Sequence, residues 1–313
     1  MFKYSLVLIH RGDTYRDDFY EITSRIKLIA PDIRIVLHSY EDASPLPDVV
    51  WSKPTLIVSF HTRYRLVPKR GRIYCALAVE KQVQAELFQK AGVLTPKTAL
   101  FSFGKRLAEV YWGELVVLKP VHVNSRGLGV HLVRTARLHK LTPQDFPSTH
   151  PIHRDRYLVQ SFIDTGECPH HYRALTMFGE TLSLRRNTRL ARRPTLSADD
   201  GTLFKAVIAS NADALPWETS TELICDPDIN AFAKRMHDAL PGIPVLGCDI
   251  LREIHSGKLY ALESNAGGNT WAFSSPAGKS ARATLGQRGM IDQFGAWDIA
   301  ARVLVERTHE AAL

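Results

Sequence analysis

Residues 245–269 restrict what this chain can fold into more than any other stretch. Two apolar-rich runs, 245–254 and 258–262, flank His255-Ser256-Gly257. A three-residue connection ending in glycine signals a hairpin, because its last position takes the left-handed backbone conformation. With Ile254 paired to Lys258, counting outward sets Asp249 opposite Glu263, their Cβ atoms roughly 5 Å apart on one face. Asn265 points the same way two residues further on. Two facing carboxylates repel, so the pairing makes sense around a cation, and an all-oxygen set suits magnesium. A surface hairpin with two solvated acids fits the same residues. Register separates the two, since a two-residue Ser256-Gly257 turn would set Asp249 against Ser264 instead.

Upstream, residues 4–9 read as a buried strand and 15–30 as a helix with Phe19, Ile22, Ile26 and Ile29 on one stripe. Residues 33–37 and 55–60 read as further strands, so an open parallel sheet is expected over the first eighty residues. Ligands sit beyond the strand carboxyl ends of such sheets, which marks His10, Arg11, Asp13, His61 and Arg63 as pocket candidates, or as ordinary polar loop residues. Residues 78–90 read as a helix with Val83, Leu87 and Phe88 on one face. It is stopped by Gly92, with a domain junction at Thr95-Pro96. Lys81 in its first turn is either incidental or reaches a phosphate.

An apolar strand ends in Lys119-Pro120, and a new one begins at Gly129 or Val130. Gly127 and Gly129 let backbone N–H groups close on an anion beside the Lys119 charge, although two such glycines also make an ordinary turn. The loop lacks the Walker pattern and the dinucleotide fingerprint. Residues 157–163 form a strand, and 172–178 and 180–186 a hairpin turning at Gly179. That hairpin puts Arg173 beside Arg185 or Arg186, either as a bidentate anion site or as edge arginines in water. Arg189, Arg192 and Arg193 read as a mobile basic loop before a strand at 203–210. Residues 226–240 are a helix with a core stripe of Ile229, Phe232, Ala233 and Met236, and a last helix runs near 291–305.

Bulk properties narrow the partners. The chain has 313 residues, 45% hydrophobic and 23% charged, enough for two or three subdomains. A net charge of +8 favours an anionic partner, yet no nucleic-acid-binding motif appears, so nucleic acid ranks low. Cys75, Cys168, Cys225 and Cys248 are scattered without metal or disulfide spacing, as expected of reduced thiols in a cytoplasmic protein. No apolar run approaches a membrane span.

The order of these features resembles the ATP-grasp superfamily of carboxylate-amine ligases, among them ribosomal-protein glutamate ligases, glutathione synthetases and D-alanyl-D-alanine ligases. Glu80-Lys81 with Ala91-Gly-Val-Leu-Thr-Pro96 is similar to the family's lysine-bearing helix and its exit. Lys119, with Ser125, Arg126, Gly127 and Gly129, resembles the lid lysine and glycine-rich loop. Gln160, Ser161, Phe162 and Ile163 resemble the hinge that meets adenine. Ser161 stands where relatives often carry an acid, leaving the ribose contact open between Asp164 and Glu167. Asp249, Glu263 and Asn265 are similar to the magnesium strands, while Cys248 departs from the D-alanyl ligases. The tail 266–271 replaces a frequent Pro-Gly, so the substrate edge is expected there, at Gly268 and Asn269, with Arg11, Arg189 and Arg192 as further substrate candidates.

The resemblance implies an α/β (α+β) fold with an N-terminal open parallel-sheet domain at 1–94. A lid at 95–163 and a catalytic subdomain at 164–313, both antiparallel, would clasp ATP. It implies ATP and Mg2+ as cofactors and small-molecule or peptide carboxylates and amines as substrates. Activation would proceed through an acyl phosphate stabilised by Arg173, Arg185 and Arg186. A phosphotransferase acting on a hydroxyl and a non-catalytic binding module are the alternatives. No membrane partner is expected, and a homo-oligomer is left open.

Overall fold

The computed structural model describes residues 2–11, 15–42, 46, 48–61, 70–121, 129–209, 216–267, 270–271, 273–286 and 288–311. The first part of the chain alternates strand and helix: β1 (Tyr4–His10), α1 (Arg16–Ile29), β2 (Ile33–Ser39), α2 (Asp48–Trp51), β3 (Thr55–Ser59), β4 (Gly71–Cys75) and α3 (Lys81–Lys90). The four strands make the expected parallel sheet, in the order β2-β1-β3-β4. Leu6, Val7, Leu8 and Ile9 are all buried, because a central parallel strand is covered on both faces and therefore reads as a continuous apolar run. The edge strand β4 starts on exposed residues and carries no such signal.

The middle segment holds β5 (Thr98–Leu100), α4 (Glu109–Trp112), β6 (Leu115–Pro120), β7 (His131–Arg134) and β8 (Tyr157–Ser161). These strands form an antiparallel sheet in the order β5-β8-β6-β7. Alternation along β6 sends Val116 and Leu118 into the core of this layer and leaves Val117 and Lys119 on the face that lines a cleft.

The remainder comprises β9 (His170–Met177), β10 (Glu180–Arg189), α5 (Asp200–Phe204), β11 (Thr219–Leu223), α6 (Pro227–Asp238), β12 (Val245–Arg252), β13 (Leu259–Ala266), α7 (Pro276–Leu285), α8 (Gly289–Asp292) and α9 (Ala296–Glu310). Its antiparallel sheet runs β11-β10-β9-β12-β13. The β9–β10 turn uses positive φ at both Phe178 and Gly179, as a two-residue hairpin requires. Helix α6 covers one face with the expected Ile229, Phe232, Ala233 and Met236, packed on Ala174, Leu184, Cys248 and Ile250. The other face is divided. Leu175, Met177 and Val245 sit in a large core shared with α9 and the N-terminal sheet, whereas Arg173 and Asp249 lie along the cleft.

Several expected elements differ. Helix α3 begins at Lys81 rather than residue 78, and Val83, expected on its buried face, is 42% exposed; Phe88 faces inward as expected, with Gln84 in place of Val83. Residues 203–209 of the strand expected at 203–210 form no strand. Asp199 accepts from the Thr202 N–H and caps α5, so Leu203 and Phe204 close a helical turn against the middle sheet. The single last helix is broken at Gly295, which takes a left-handed conformation between α8 and α9.

Candidate functional site

The β12–β13 hairpin brings Asp249 opposite Glu263, as the sequence implies, but by a different route. Ile254 does not pair with Lys258. The Glu253 N–H donates to the Lys258 carbonyl and the Gly257 N–H to the Glu253 carbonyl, closing a four-residue loop with Gly257 at φ +69. That loop alone would displace the register by one residue. A bulge between Asp249 and Ile250 on one strand and Glu263 and Ala261 on the other restores it, with Leu262 the extra residue. Leu262 and Glu263 both line the cleft. The Ile254 N–H donates instead to the Asp164 carbonyl, tying the hairpin end to the segment that follows β8.

Helix α3 is locked to the edge of β13 by one side chain. Gln84 donates to the Ser264 carbonyl and accepts from the Ser264 N–H, taking the place of a neighbouring strand. One turn earlier, Lys81 Nζ lies 3.2 Å from Glu263 Oε2. Across the cleft Lys119 Nζ donates to Gln160 Oε1 at 2.9 Å. The cleft between the two antiparallel sheets encloses about 300 Å³. Lys81, Lys119, Gln160, Phe162, Ile163, Arg173, Arg193, Ile208, Asp249, Glu263 and Asn265 are among its lining residues. Its walls are apolar near Phe162 and Ile208 and charged near Asp249.

The charged end is strongly polarised. Asp249 is 7% exposed; its Oδ2 accepts from Arg173 and from Asn265 Nδ2, and its Oδ1 is buried without a hydrogen-bond partner. Burial, together with Glu263, pushes its carboxyl up to about 6 against the opposing pull of Arg173. Burial also opposes the Glu263 charge, but Lys81 and Lys119 outweigh it and hold that carboxyl below its ordinary value. Burial lowers Lys119 to about 8, with Glu263 opposing and Lys81 adding to the shift. Arg173 and Arg185 sit directly opposite each other on β9 and β10, and burial beside Arg173 lowers Arg185 to about 10. Arg185 Nε is buried without a partner.

The facing carboxylates, with an Asp249 oxygen that accepts no hydrogen bond and the Asn265 amide beside it, fit a hard divalent cation, which takes oxygen ligands of this kind.

No protein-family profile matches the sequence, and no curated protein does. Among solved structures, the ATP-grasp ligase PsnB complexed with a phosphomimetic variant of minimal precursor, Mg and ADP is similar over 98% of this chain and 100% of that one, at 12% identity and a TM-score of 0.53. The fold is the ATP-grasp fold. PsnB complexed with minimal precursor gives 14% identity over 98% and 100% of the two chains with a TM-score of 0.52. The macrocyclase MdnC from Microcystis aeruginosa, bound with precursor peptide MdnA, gives 10% identity over 96% and 99% with a TM-score of 0.50.

Within the ATP-grasp fold the residues singled out in the sequence separate. Lys81, Lys119, Gln160, Ser161, Phe162, Ile163, Arg173, Asp249, Glu263 and Asn265 converge on the one cleft. Gly129 precedes β7 with φ +70, while Ser125, Arg126, Gly127, Gly268, Asn269, Asp13 and Arg63 lie outside the described residues. Arg186 points to the opposite face of β10 and pairs with Glu222. Asp164 and Glu167 are not among the cleft-lining residues. Asp164 Oδ1 accepts from Arg193 and the Gly166 N–H, and Glu167 pairs with Arg192 in solvent. Arg11 pairs with Glu41 at the N-terminal sheet, and Arg189 lies 3.9 Å from Glu218.

The mobile basic loop is corrected by Arg193, whose side chain is 7% exposed. It donates to Asp164, Gly166 and Pro194 and lies over the Phe162 ring. Trp271, expected at the substrate edge, is fully buried against Phe60 and Phe273. Among the cleft residues not anticipated are His171 and Arg193. Period-two alternation from Arg173 would have found His171, which burial, Arg173 and Arg185 keep neutral, down to about 3. Nothing local marks Arg193, because its acceptor lies 29 residues away.

Proposed function

We propose that this protein is an ATP- and magnesium-dependent ligase that activates a substrate carboxylate as an acyl phosphate and joins it to an amine, releasing ADP and phosphate. The observation that carries this reading is the buried Asp249 Oδ1, which accepts no hydrogen bond and has only the His171 ring at 3.7 Å, facing Glu263 in a cleft that also holds Lys81 and Lys119. Asp249, Glu263 and Asn265 would hold magnesium, whose charge would offset that of the transferred phosphoryl group.

Lys81 and Lys119 neutralise the ATP phosphates. Phosphoryl transfer is mostly a matter of positioning and charge, so these groups suffice without a protein nucleophile. The substrate carboxylate attacks the γ-phosphate, and Arg173 and Arg185 stabilise the acyl phosphate. Closure of the lid sheet over the cleft keeps water from that hydrolysable intermediate. The amine then displaces phosphate. The precursor peptide bound by MdnC, with the minimal precursor bound by PsnB, supports a peptide as one of the substrates.

The test is to incubate the protein with ATP, magnesium chloride and panels of amino acids and peptides, measuring ADP, free phosphate and product. An amide with stoichiometric phosphate is expected, whereas phosphate retained on product overturns the ligase reading. Glu263→Gln is expected to cut substrate-dependent ADP release by about a hundredfold or more, on the scale of losing one such charge-stabilising group. Undiminished turnover would remove the magnesium assignment.

A further inference from the structure

We infer that Gln160 is a positioning residue, fixing the Lys119 ammonium in the cleft through a hydrogen-bond chain anchored at the junction before the lid sheet. The chain has one consistent direction. The Thr98 hydroxyl donates to the Pro96 carbonyl at 2.9 Å, which leaves its oxygen free to accept. Gln160 Nε2 donates to that oxygen at 2.8 Å, so the amide is oriented with Oε1 away from Thr98. Lys119 Nζ donates to Oε1 at 2.9 Å. A carbonyl cannot donate, so fixing the first link fixes the rest.

The elements supply the geometry. Thr98 pairs with Gln160 between β5 and β8, and Gln160 pairs with Val117 on β6, which places the amide beside Lys119 two residues further along. Gln160 is buried, 6% exposed, and both ends of its amide are hydrogen-bonded within the protein, so it is held rather than solvated. A neutral acceptor at this point has a consequence. Lys81 is already paired with Glu263, and a second carboxylate at residue 160 would neutralise Lys119 as well. Gln160 holds the lysine while leaving its charge available to an anion in the cleft.

This inference rests on the nucleotide reading for its purpose but not for its geometry, and two measurements separate them. The first is the acylation rate of Lys119 by acetic anhydride, followed by mass spectrometry with the other lysines as internal references. Gln160→Met, close in length but without an acceptor, is expected to raise that rate several-fold. Thr98→Val is expected to raise it part-way, and Thr98→Ser to leave it at the wild-type value. An unchanged rate in Gln160→Met, with the protein folded by circular dichroism, overturns the inference whatever the ligand. Should Gln160→Met fail to fold, the Thr98→Val and Thr98→Ser pair decides in the same way.

The second measurement is ATP affinity by calorimetry. Gln160→Met is expected to weaken ATP binding about tenfold, the ratio associated with one hydrogen bond to a charged group. Gln160→Glu is expected to weaken it too, despite keeping the acceptor. Wild-type protein that binds no ATP would remove the nucleotide reading while the acylation rates still decide the role of Gln160.

Discussion

At the scale of single residues, Arg193 shows where sequence reasoning lost the site. It sits next to Pro194 among polar neighbours, and every local rule describes such a residue as solvated. In the fold it is a clamp, with Asp164 at 2.7 Å and side chains only 7% and 16% exposed. Removing one member of a buried pair strands the other, which costs about 3–5 kcal/mol, whereas removing both costs less. Arg193→Ala is therefore expected to lower stability by about 3 kcal/mol in urea titration. The Asp164→Asn, Arg193→Ala double variant is expected to lose less than the sum of the singles. Additive losses would mean that the pair contributes nothing. Lys119 and Asp249 differ from Arg193 in that their place along the cleft follows from strand period and hairpin register, both short-range. That of Arg193 follows from a contact across 29 positions.

The same distinction governs whole elements. The stripe of α6 was readable because four apolar residues at helical spacing have only one way to be buried. The 203–210 segment was misread because an apolar run of that length fits either a strand or the last turn of a helix, and the Asp199 cap decided it. In the hairpin, one loop residue more than expected and one bulge offset each other, so the Asp249–Glu263 pair was foreseen while its cause was not.

Helix α6 also carries an acid-sensitive group. His237 bridges Thr176 and the Ile243 carbonyl, and burial lowers it to about 4. Between that value and the ordinary 6.5 the unfolded chain binds a proton that the folded chain refuses, so stability is present above pH 6.5 and is lost as pH falls. The loss from this group alone comes to about 2 kcal/mol by pH 5. His237→Asn is expected to start less stable at pH 7.5 yet show a shallower decline to pH 5 in urea titrations. An unchanged slope would assign the acid sensitivity to other histidines.

For the whole molecule, the decisive feature is that the N-terminal sheet and the C-terminal helices share one core. Phe19, Leu56 and Phe60 pack in the same cluster as Trp271, Phe273 and residues of α9. Asp18 on α1 closes this junction, accepting at Oδ2 from Trp271 Nε1, the Ser274 N–H and the Ser274 hydroxyl. Trp271 looked like a substrate residue because it follows the Glu263–Asn265 strand, and its partner lies 253 positions away. The three parts were readable as separate sheets, but which of them share a core was not, since that depends on long-range packing rather than on periodicity. The middle sheet has a core of its own, whereas the N-terminal sheet and the C-terminal part share one. Asp18→Ala leaves three buried donors without an acceptor and is expected to cost about 3 kcal/mol or more. Trp271→Phe keeps most of the packing and is expected to cost about 1–2 kcal/mol. Because the core is shared, both variants should still melt in a single transition for these two parts, with tryptophan fluorescence and far-ultraviolet circular dichroism coincident. An early transition confined to tryptophan fluorescence would show that the N-terminal sheet releases on its own, and the shared core would then not be what holds the two parts together.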